Sequence, residues 1–299
     1  LPIERMPSLR TVIQETHRTL ESAGIPDARL EAEVMVMDVM RMPRQAIFAE
    51  QESQVLLPQE EQLTAIVTRR LTREPLAYIL NYREFYGVNL LVNRDVLIPR
   101  PETETMVEHA LFMALMGMES RELVIADVGT GTGAIAINLA IHLPAARIYA
   151  SDAYDATLDV AAYNVRMHNV ADRVTLLKGD LLEPLPEPVD VIVANLPYLP
   201  TDRIPTLQPE IQWEPVAALD GGADGLDHIR RLLSQASASH GEENARLKSH
   251  GVILLEMDPE QISEARSLAS AAFPDAEITV EPDLARLDRV LSVSLGADY

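Results

Sequence analysis

Residues 123–143 read LVIADVGTGTGAIAINLAIHL, and the fold turns on what happens at the three glycines of this stretch. Before them the run is apolar apart from Asp127, the texture of a strand covered on both faces. After them comes a helix-forming segment, GAIAINLAIHL. Gly129, Gly131 and Gly133 supply the freedom for a tight, positive-φ turn and let another molecule approach the backbone closely. In open α/β sheets ligands sit beyond the carboxyl ends of the strands, where the strand order reverses, and this loop is in that place.

The alternation continues to the end of the chain. RIYASD reads as a strand and ATLDVAAYNVRMHN as a helix; RVTLLKGD and VDVIVANL follow as strands, and then a long loop. A helix from about Leu226 leads to the strand GVILLEMD, the helix PEQISEARSLASAAF and the closing strands AEITV and RVLSVSL. Continuous apolar strands joined by helices predict a parallel sheet covered on both faces. Only eight residues join the last two strands, too few for a crossover helix, so they are expected to be antiparallel. The expectation is an α/β fold with a seven-stranded Rossmann-like sheet, six strands parallel and the last reversed.

Upstream the texture differs. Residues 8–80 read as a small helical bundle. Ser8 caps a segment running to Ala23, DARLEAEVMVMDVM puts Leu30, Val34, Met37 and Met40 near helical spacing, and a third helix follows Pro58. Met35, Met37, Met40 and Met42 are expected to fill core gaps. REFYGVNLLVNRDVLIPRPETE, residues 83–104, then suggests two short strands about a turn at Asn93-Arg94-Asp95, with Pro99 and Pro101 ending the second. Glu102 and Glu104 open a helix, where its dipole favours them. The expected organisation is a helical domain over 1–82, a linking hairpin over 83–100 and the α/β domain over 101–299.

Composition narrows the function classes. The net charge of −21 and the pI of about 4.7 count against a partner gripped by its phosphates. Arg69, Arg70 and Arg73 form a small basic cluster, expected to be a solvated helix face. Without cysteine the chain has no disulfide, no thiol nucleophile and no Cys-ligated zinc, and no bound metal is expected. No apolar run reaches the roughly 18 residues needed to span a bilayer. The first residues, LPIERMPSLR, lack the apolar core of a secretory signal and an initiator Met, so a trimmed start and a cytoplasmic setting are expected.

The glycine loop reads as a nucleoside site. Asp152 ends the second strand of the α/β region, 19 residues after Gly133, where it can accept bonds from ribose hydroxyls. Gly129, Gly131 and Ala134 also satisfy the dinucleotide pattern G-x-G-x-x-A, so NAD stays open. Three details favour S-adenosylmethionine. Asp127 precedes the glycines as in the methyltransferase loop pattern, Asp180 closes the third strand where such enzymes read the adenine amine, and a reversed final strand is typical of them.

At the end of the fourth strand stands Asn195-Leu196-Pro197-Tyr198. Pro197 biases Leu196 to an extended conformation and brings no N–H of its own. A planar –NH₂ group, an amide or an exocyclic base amine, has two donors. The Asn195 side-chain oxygen and a backbone carbonyl at Leu196 or Pro197 could accept both, with Tyr198 as a flat wall. Orientation would supply most of the rate advantage.

With these residues in view, the sequence resembles the release factor glutamine methyltransferases. The resemblance covers most of the chain, through REPLAYIL, REFYGVNLLVNRDVLIPRPETE, DVGTGTGAIAINLA, ANLPY, EPVAALDGGADGL and LLEM. The glycine loop is shared with many methyltransferases, whereas LIPRPETE together with the tetrapeptide and EPVAALDGGADGL is much more specific. The resemblance implies methylation of the glutamine amide in the Gly-Gly-Gln motif of peptide chain release factors, with S-adenosylmethionine as cofactor. Asp127 and Gly129, Thr130, Gly131, Thr132 and Gly133 would then serve its methionine and ribose part, Asp152 the ribose, and Asp180 and Leu181 the adenine. Asn195, Leu196, Pro197 and Tyr198 would hold the glutamine, with Asn195, Pro197 and Tyr198 catalytic and Asn195 also beside the cofactor. The helical domain would help dock the release factor, and neither nucleic acid nor membrane is an expected partner.

The chain departs from the family pattern in four places. Leu196 replaces the commoner proline, and Asn81 stands where a glycine is usual. The link over 237–251 is long, and DLARLDRV lacks a glycine often found there. The nearest rival reading is a DNA adenine amino-methyltransferase, which the acidity opposes. An NAD-dependent oxidoreductase would leave the tetrapeptide without a task, and a non-catalytic binding module would keep the fold without turnover. No G-x-S-x-G or H-E-x-x-H motif supports a hydrolase, and His109, His142 and His168 are scattered.

Overall fold

The structure, a computed structural model, describes residues 6–117, 122–238 and 245–296. The opening residues 1–5 and residues 239–244 of the long link lie outside the described residues. The chain forms two compact units, Leu1–Asn81 with Pro209–Trp213, and Tyr82–Gln208 with Glu214–Tyr299.

The first unit is helical: α1 (Leu9–Ser22), α2 (Ala28–Met40), α3 (Arg44–Ala49), α4 (Leu57–Leu71) and α5 (Leu76–Leu80). Ser8 caps α1, its Oγ accepting from the Thr11 N–H at 3.3 Å, a contact worth about 1 kcal/mol. The buried face of α2 differs from the expected stripe. Ala28, Ala32, Met35, Val36 and Val39 are buried, while Leu30 is 53% exposed. This helix packs against both α1 and α4, and the apolar run VMVMDVM leaves its face undetermined by periodicity. Met35 is fully buried, with Met37, Met40 and Met42 packed on the same core. Helix α4 begins one residue before Pro58, whose missing N–H costs nothing in a first turn.

Nor is the arginine cluster a solvated face. Arg70 is 2% exposed; its Nε donates to Glu31 at 2.7 Å and its Nη1 to Glu210 at 3.0 Å. Arg69 makes a two-pronged bond to Glu74 (2.9 and 2.8 Å), and Arg73 bonds Glu210 and the carbonyl of Ala23. These charges are consumed inside the unit.

The second unit opens with a hairpin, β1 (Tyr82–Phe85) and β2 (Val88–Leu91), whose turn is Tyr86-Gly87 rather than Asn93-Arg94-Asp95. Both turn residues have positive φ (47° and 78°), the geometry that matches strand twist in a two-residue loop. Residues 92–100 form no strand. Beyond them lie α6 (Glu104–Gly117), β3 (Val124–Val128), α7 (Ala134–His142), β4 (Arg147–Asp152), α8 (Asp155–Met167), β5 (Val174–Lys178) and β6 (Val189–Ala194). After the long loop come α9 (Asp227–Ala238), β7 (Leu247–Glu256), α10 (Ile262–Ala272), β8 (Glu277–Pro282) and β9 (Asp288–Ser294).

The sheet order is β5-β4-β3-β6-β7-β9-β8, with β9 antiparallel to both its neighbours, as the short final connection required. Alternate residues of the central strands feed two apolar layers. Ile125, Val191, Val193 and Leu254 face the layer of α6 and α7, and Ala126, Ile192, Ile253 and Leu255 that of α9 and α10. Chain order reverses between β3 and β6, so the crevice lies beyond their carboxyl ends. Two family departures fall at positive φ: Asn81 at 62°, tolerable for an amide, and Arg286 at 63° in the β8–β9 turn. Among the described residues no helix is long and apolar enough to cross a membrane.

Asn164, wholly buried on α8, ties this architecture together. Its Oδ1 accepts from the Leu91 N–H at 2.7 Å, and its Nδ2 donates to the carbonyls of Leu91 and Thr132 at 3.0 and 2.9 Å. One amide thus joins the hairpin to the glycine loop. Asn164→Leu leaves those backbone groups buried without partners, and chemical denaturation should show a loss of about 2–4 kcal/mol. A loss below about 0.5 kcal/mol would contradict this role.

Candidate active site

The glycine loop is held from below and from the side. The N–H groups of Gly129 and Thr130 both donate to the Ser151 carbonyl at 2.9 Å, and the Gly133 N–H closes the turn on the Thr130 carbonyl at 2.8 Å. Beneath it, Asp127 Oδ2 accepts from Thr130 Oγ1 at 2.6 Å and from the Ala136 N–H at 3.1 Å. Asp152 braces the outer edge, accepting from the N–H groups of Gly131 (3.1 Å) and Tyr154 (3.2 Å). Gly129 has a φ of 72°, and a Cβ there would lie 3.0 Å from Leu196 Cδ2. The leucine that replaces the usual proline is 4% exposed, its side chain packed under the first glycine.

A cavity of about 650 Å³ opens at this point. Gly129, Thr130, Gly131, Thr132, Asp152, Asp180, Leu181, Asn195, Leu196 and Pro197 line it. Three expected residues do not. Asp127 lies under the loop, 1% exposed, and acts on the loop's shape. Gly133 turns the chain into α7 with a φ of 81°. Tyr198 is turned out of the wall, its hydroxyl among the charges of Glu256, Arg289, Arg100 and Asp258, and burial pushes its pKa up. Asp180 reaches the wall already engaged, accepting from Arg231 and, at 3.0 Å, from Gln235 Nε2.

Sequence reasoning missed several contributors. Arg94 to Leu97, expected as turn and strand, line the wall. The turn is present, the Val96 N–H donating to the Asn93 carbonyl at 3.3 Å, but no strand follows it. Thr157 Oγ1 pins the segment by donating to the Asp95 carbonyl at 3.0 Å. Buried Glu214 accepts from the Ile98 N–H at 3.2 Å and from Arg100 at 2.5 Å. Those bonds join LIPRPETE to EPVAALDGGADGL. In the second motif Gly225 has a φ of 78°, and a Cβ would stand 2.1 Å from the Tyr198 carbonyl, so the loop seats directly on the tetrapeptide backbone. Thr103, 5% exposed, accepts from Asn195 Nδ2 at 3.0 Å.

Asp127 generates a pH prediction. Burial pushes its carboxyl up to about 6, against the pull of its two donors, and its Oδ1 has no partner. Because the folded pKa lies above the ordinary 3.8, its stabilising contribution is full below 3.8 and is lost as pH rises through about 6. Asp127→Asn removes that linkage while keeping one acceptor oxygen. The variant's stability relative to the wild type should rise by about 2 kcal/mol between about pH 4.5 and about pH 7.5 in denaturant titrations. A gap independent of pH would contradict it.

Comparison with known proteins agrees with this geometry. Sequence models of two families match the chain, the PrmC N-terminal domain over residues 11–80 and ribosomal protein L11 methyltransferase (PrmA) over residues 105–211. The release factor glutamine methyltransferase of Moorella thermoacetica is 39% identical over 94% of this chain and 96% of its own. That of Chlorobaculum tepidum is 33% identical over 98% and 99%. The N-terminal domain of human METTL16, solved in complex with SAH, shares the fold at a TM-score of 0.51 and 18% identity, over 77% of this chain and 84% of that one. Identity at the level of the two bacterial enzymes, sustained through the helical unit as well as the sheet, makes this chain a methyltransferase of the release factor glutamine methyltransferase family.

Proposed function

We propose that the protein transfers a methyl group from S-adenosylmethionine to the side-chain amide nitrogen of the glutamine in the Gly-Gly-Gln motif of a peptide chain release factor. One observation carries this reading: Asn195, at the end of β6 beside the glycine loop, gives its Nδ2 to Thr103 at 3.0 Å and keeps Oδ1 for a donor from the cavity. Family membership supplies the substrate class.

The wall suits the cofactor. Gly129 leaves open a place that a Cβ would crowd, and the Asp152 carboxylate, with one backbone donor on each oxygen, retains lone pairs for ribose hydroxyls. Asp180 and Leu181 stand where the adenine would lie, and Gly129 to Thr132 face the methionine and ribose. Bound there, the cofactor supplies an electrophilic methyl group.

The chain's own part is to hold the nitrogen. Asn195 Oδ1 accepts one N–H of the glutamine amide and a carbonyl of Leu196 or Pro197 accepts the other. Both contacts strengthen as the nitrogen gains positive charge, so they favour the transition state over the bound substrate. No strong base is required, because the proton leaves after the new N–C bond forms. The helical unit is assigned to docking the release factor, in a cytoplasmic setting. The DNA adenine alternative loses its electrostatic footing, since the chain carries −21 and the arginines of α4 are paired internally.

With labelled S-adenosylmethionine and a cognate release factor, mass spectrometry should find one methyl group on the Gly-Gly-Gln glutamine. Asn195→Ala should lower kcat about 100-fold or more while cofactor binding persists. Unmodified glutamine with folded, cofactor-binding enzyme would overturn the reading.

A further inference from the structure

An asparagine that must present oxygen to its substrate needs something to stop its amide from turning over, because the two ends are nearly the same shape. A hydroxyl alone cannot do this, since it gives or takes a proton equally well. What decides is the hydroxyl's other partner. Thr103, 3.0 Å from Asn195 Nδ2, also acts on Glu256, its hydroxyl holding the carboxyl's pKa down against burial. Glu256 is the last residue of β7, one step beyond the Leu255–Ala194 pair, so it sits beside Asn195 across two adjacent strands, 1% exposed. An ionised carboxylate only accepts. The Thr103 proton therefore points to Glu256, its lone pairs face Asn195, and the Asn195 end that faces them is the –NH₂.

We propose that Thr103 and Glu256 are positioning residues for methyl transfer, the acid orienting the hydroxyl and the hydroxyl orienting the Asn195 amide so that its oxygen faces the cavity. The inference rests on the reading of Asn195 given under Proposed function. It also explains a costly feature, an acid buried at the end of a central strand with its Oε2 unpartnered. Burial lifts that carboxyl to about 7, reinforced by Glu102 and tempered by Thr103, Arg289 and Arg100, with the Tyr198 hydroxyl also in its field. Once protonated, Glu256 becomes a donor and the chain of bonds can run the other way. Thr103 then donates to the asparagine oxygen, and the –NH₂ faces the substrate's own N–H groups. Methyl transfer should therefore weaken as pH falls through the Glu256 titration.

The test uses the full chain. Thr103→Val, which keeps the shape and removes the hydroxyl, should lower kcat about 10- to 100-fold with the Kd for S-adenosylmethionine within about threefold of wild type. Thr103→Ser should recover most of the loss, and Glu256→Gln should flatten the acid limb of the pH profile. The second readout needs no activity. In asparagine-labelled protein the Asn195 side-chain amide signals, assigned with Asn195→Ala, should shift with a midpoint near neutral pH in the wild type. In Thr103→Val and Glu256→Gln they should not. Wild-type kcat in Thr103→Val, or Asn195 signals indifferent to pH, would overturn the relay. A wild-type enzyme that leaves glutamine unmodified would overturn the function instead, and the amide signals would still decide the relay.

Discussion

The parallel pairing of β3 with β6 is the constraint on which the rest depends. Val128 lies opposite Ala194, so the two strands release their loops side by side at the same level of the sheet. One loop is the glycine turn and the other the tetrapeptide. Their contact is intimate enough that Gly129 cannot carry a Cβ without meeting Leu196. Both strands are buried along their whole length, so a slip of either would carry apolar residues to the wrong layer. Register, and with it the distance between cofactor and acceptor nitrogen, is thus fixed by the core.

Around that pair the unit spends its buried polar groups on shape. Asp127 holds the loop from below, Asn164 ties it to the hairpin, and Glu214 joins the segment before α6 to the one after β6. Asp190, at the far end of β6, accepts from the Val124 N–H at 2.9 Å and from Lys248 at 2.7 Å. Asn164, Glu214 and Asp190 join elements distant in sequence through directional bonds, and such networks specify one arrangement of a core. Asp127 and Glu256 each keep one buried oxygen without a partner, and Glu256 is the one beside the asparagine's support.

Much of this was legible in the sequence. The strand-to-helix alternation, the reversed last strand and the convergence of the glycine loop with Asn195 follow from local patterns that the tertiary structure respects. What was not legible has a common cause. The α2 face, the fate of the arginines and the path of residues 92–100 are decided by partners elsewhere in the chain. Asn93-Arg94-Asp95 was read as the hairpin turn and does turn the chain, but beyond β2, while the hairpin itself closes at Tyr86-Gly87. Tyr198 has the right chemistry for a wall, but the backbone seated against Gly225 turns it toward Glu256 and Arg289. Thr103 and Glu256 lay in plain view within LIPRPETE and LLEM, and only the sheet register, which sets Glu256 beside Asn195, and the Asn195–Thr103 bond bring them to one place.

The central claim is geometric: an amide is held by an amide, oxygen towards nitrogen. A crystal structure of the protein with S-adenosylhomocysteine and a Gly-Gly-Gln peptide tests it most directly. The account predicts the glutamine nitrogen about 3 Å from Asn195 Oδ1, with Asn195 Nδ2 still on Thr103. A glutamine bound away from Asn195, or one facing its –NH₂ end, would contradict it.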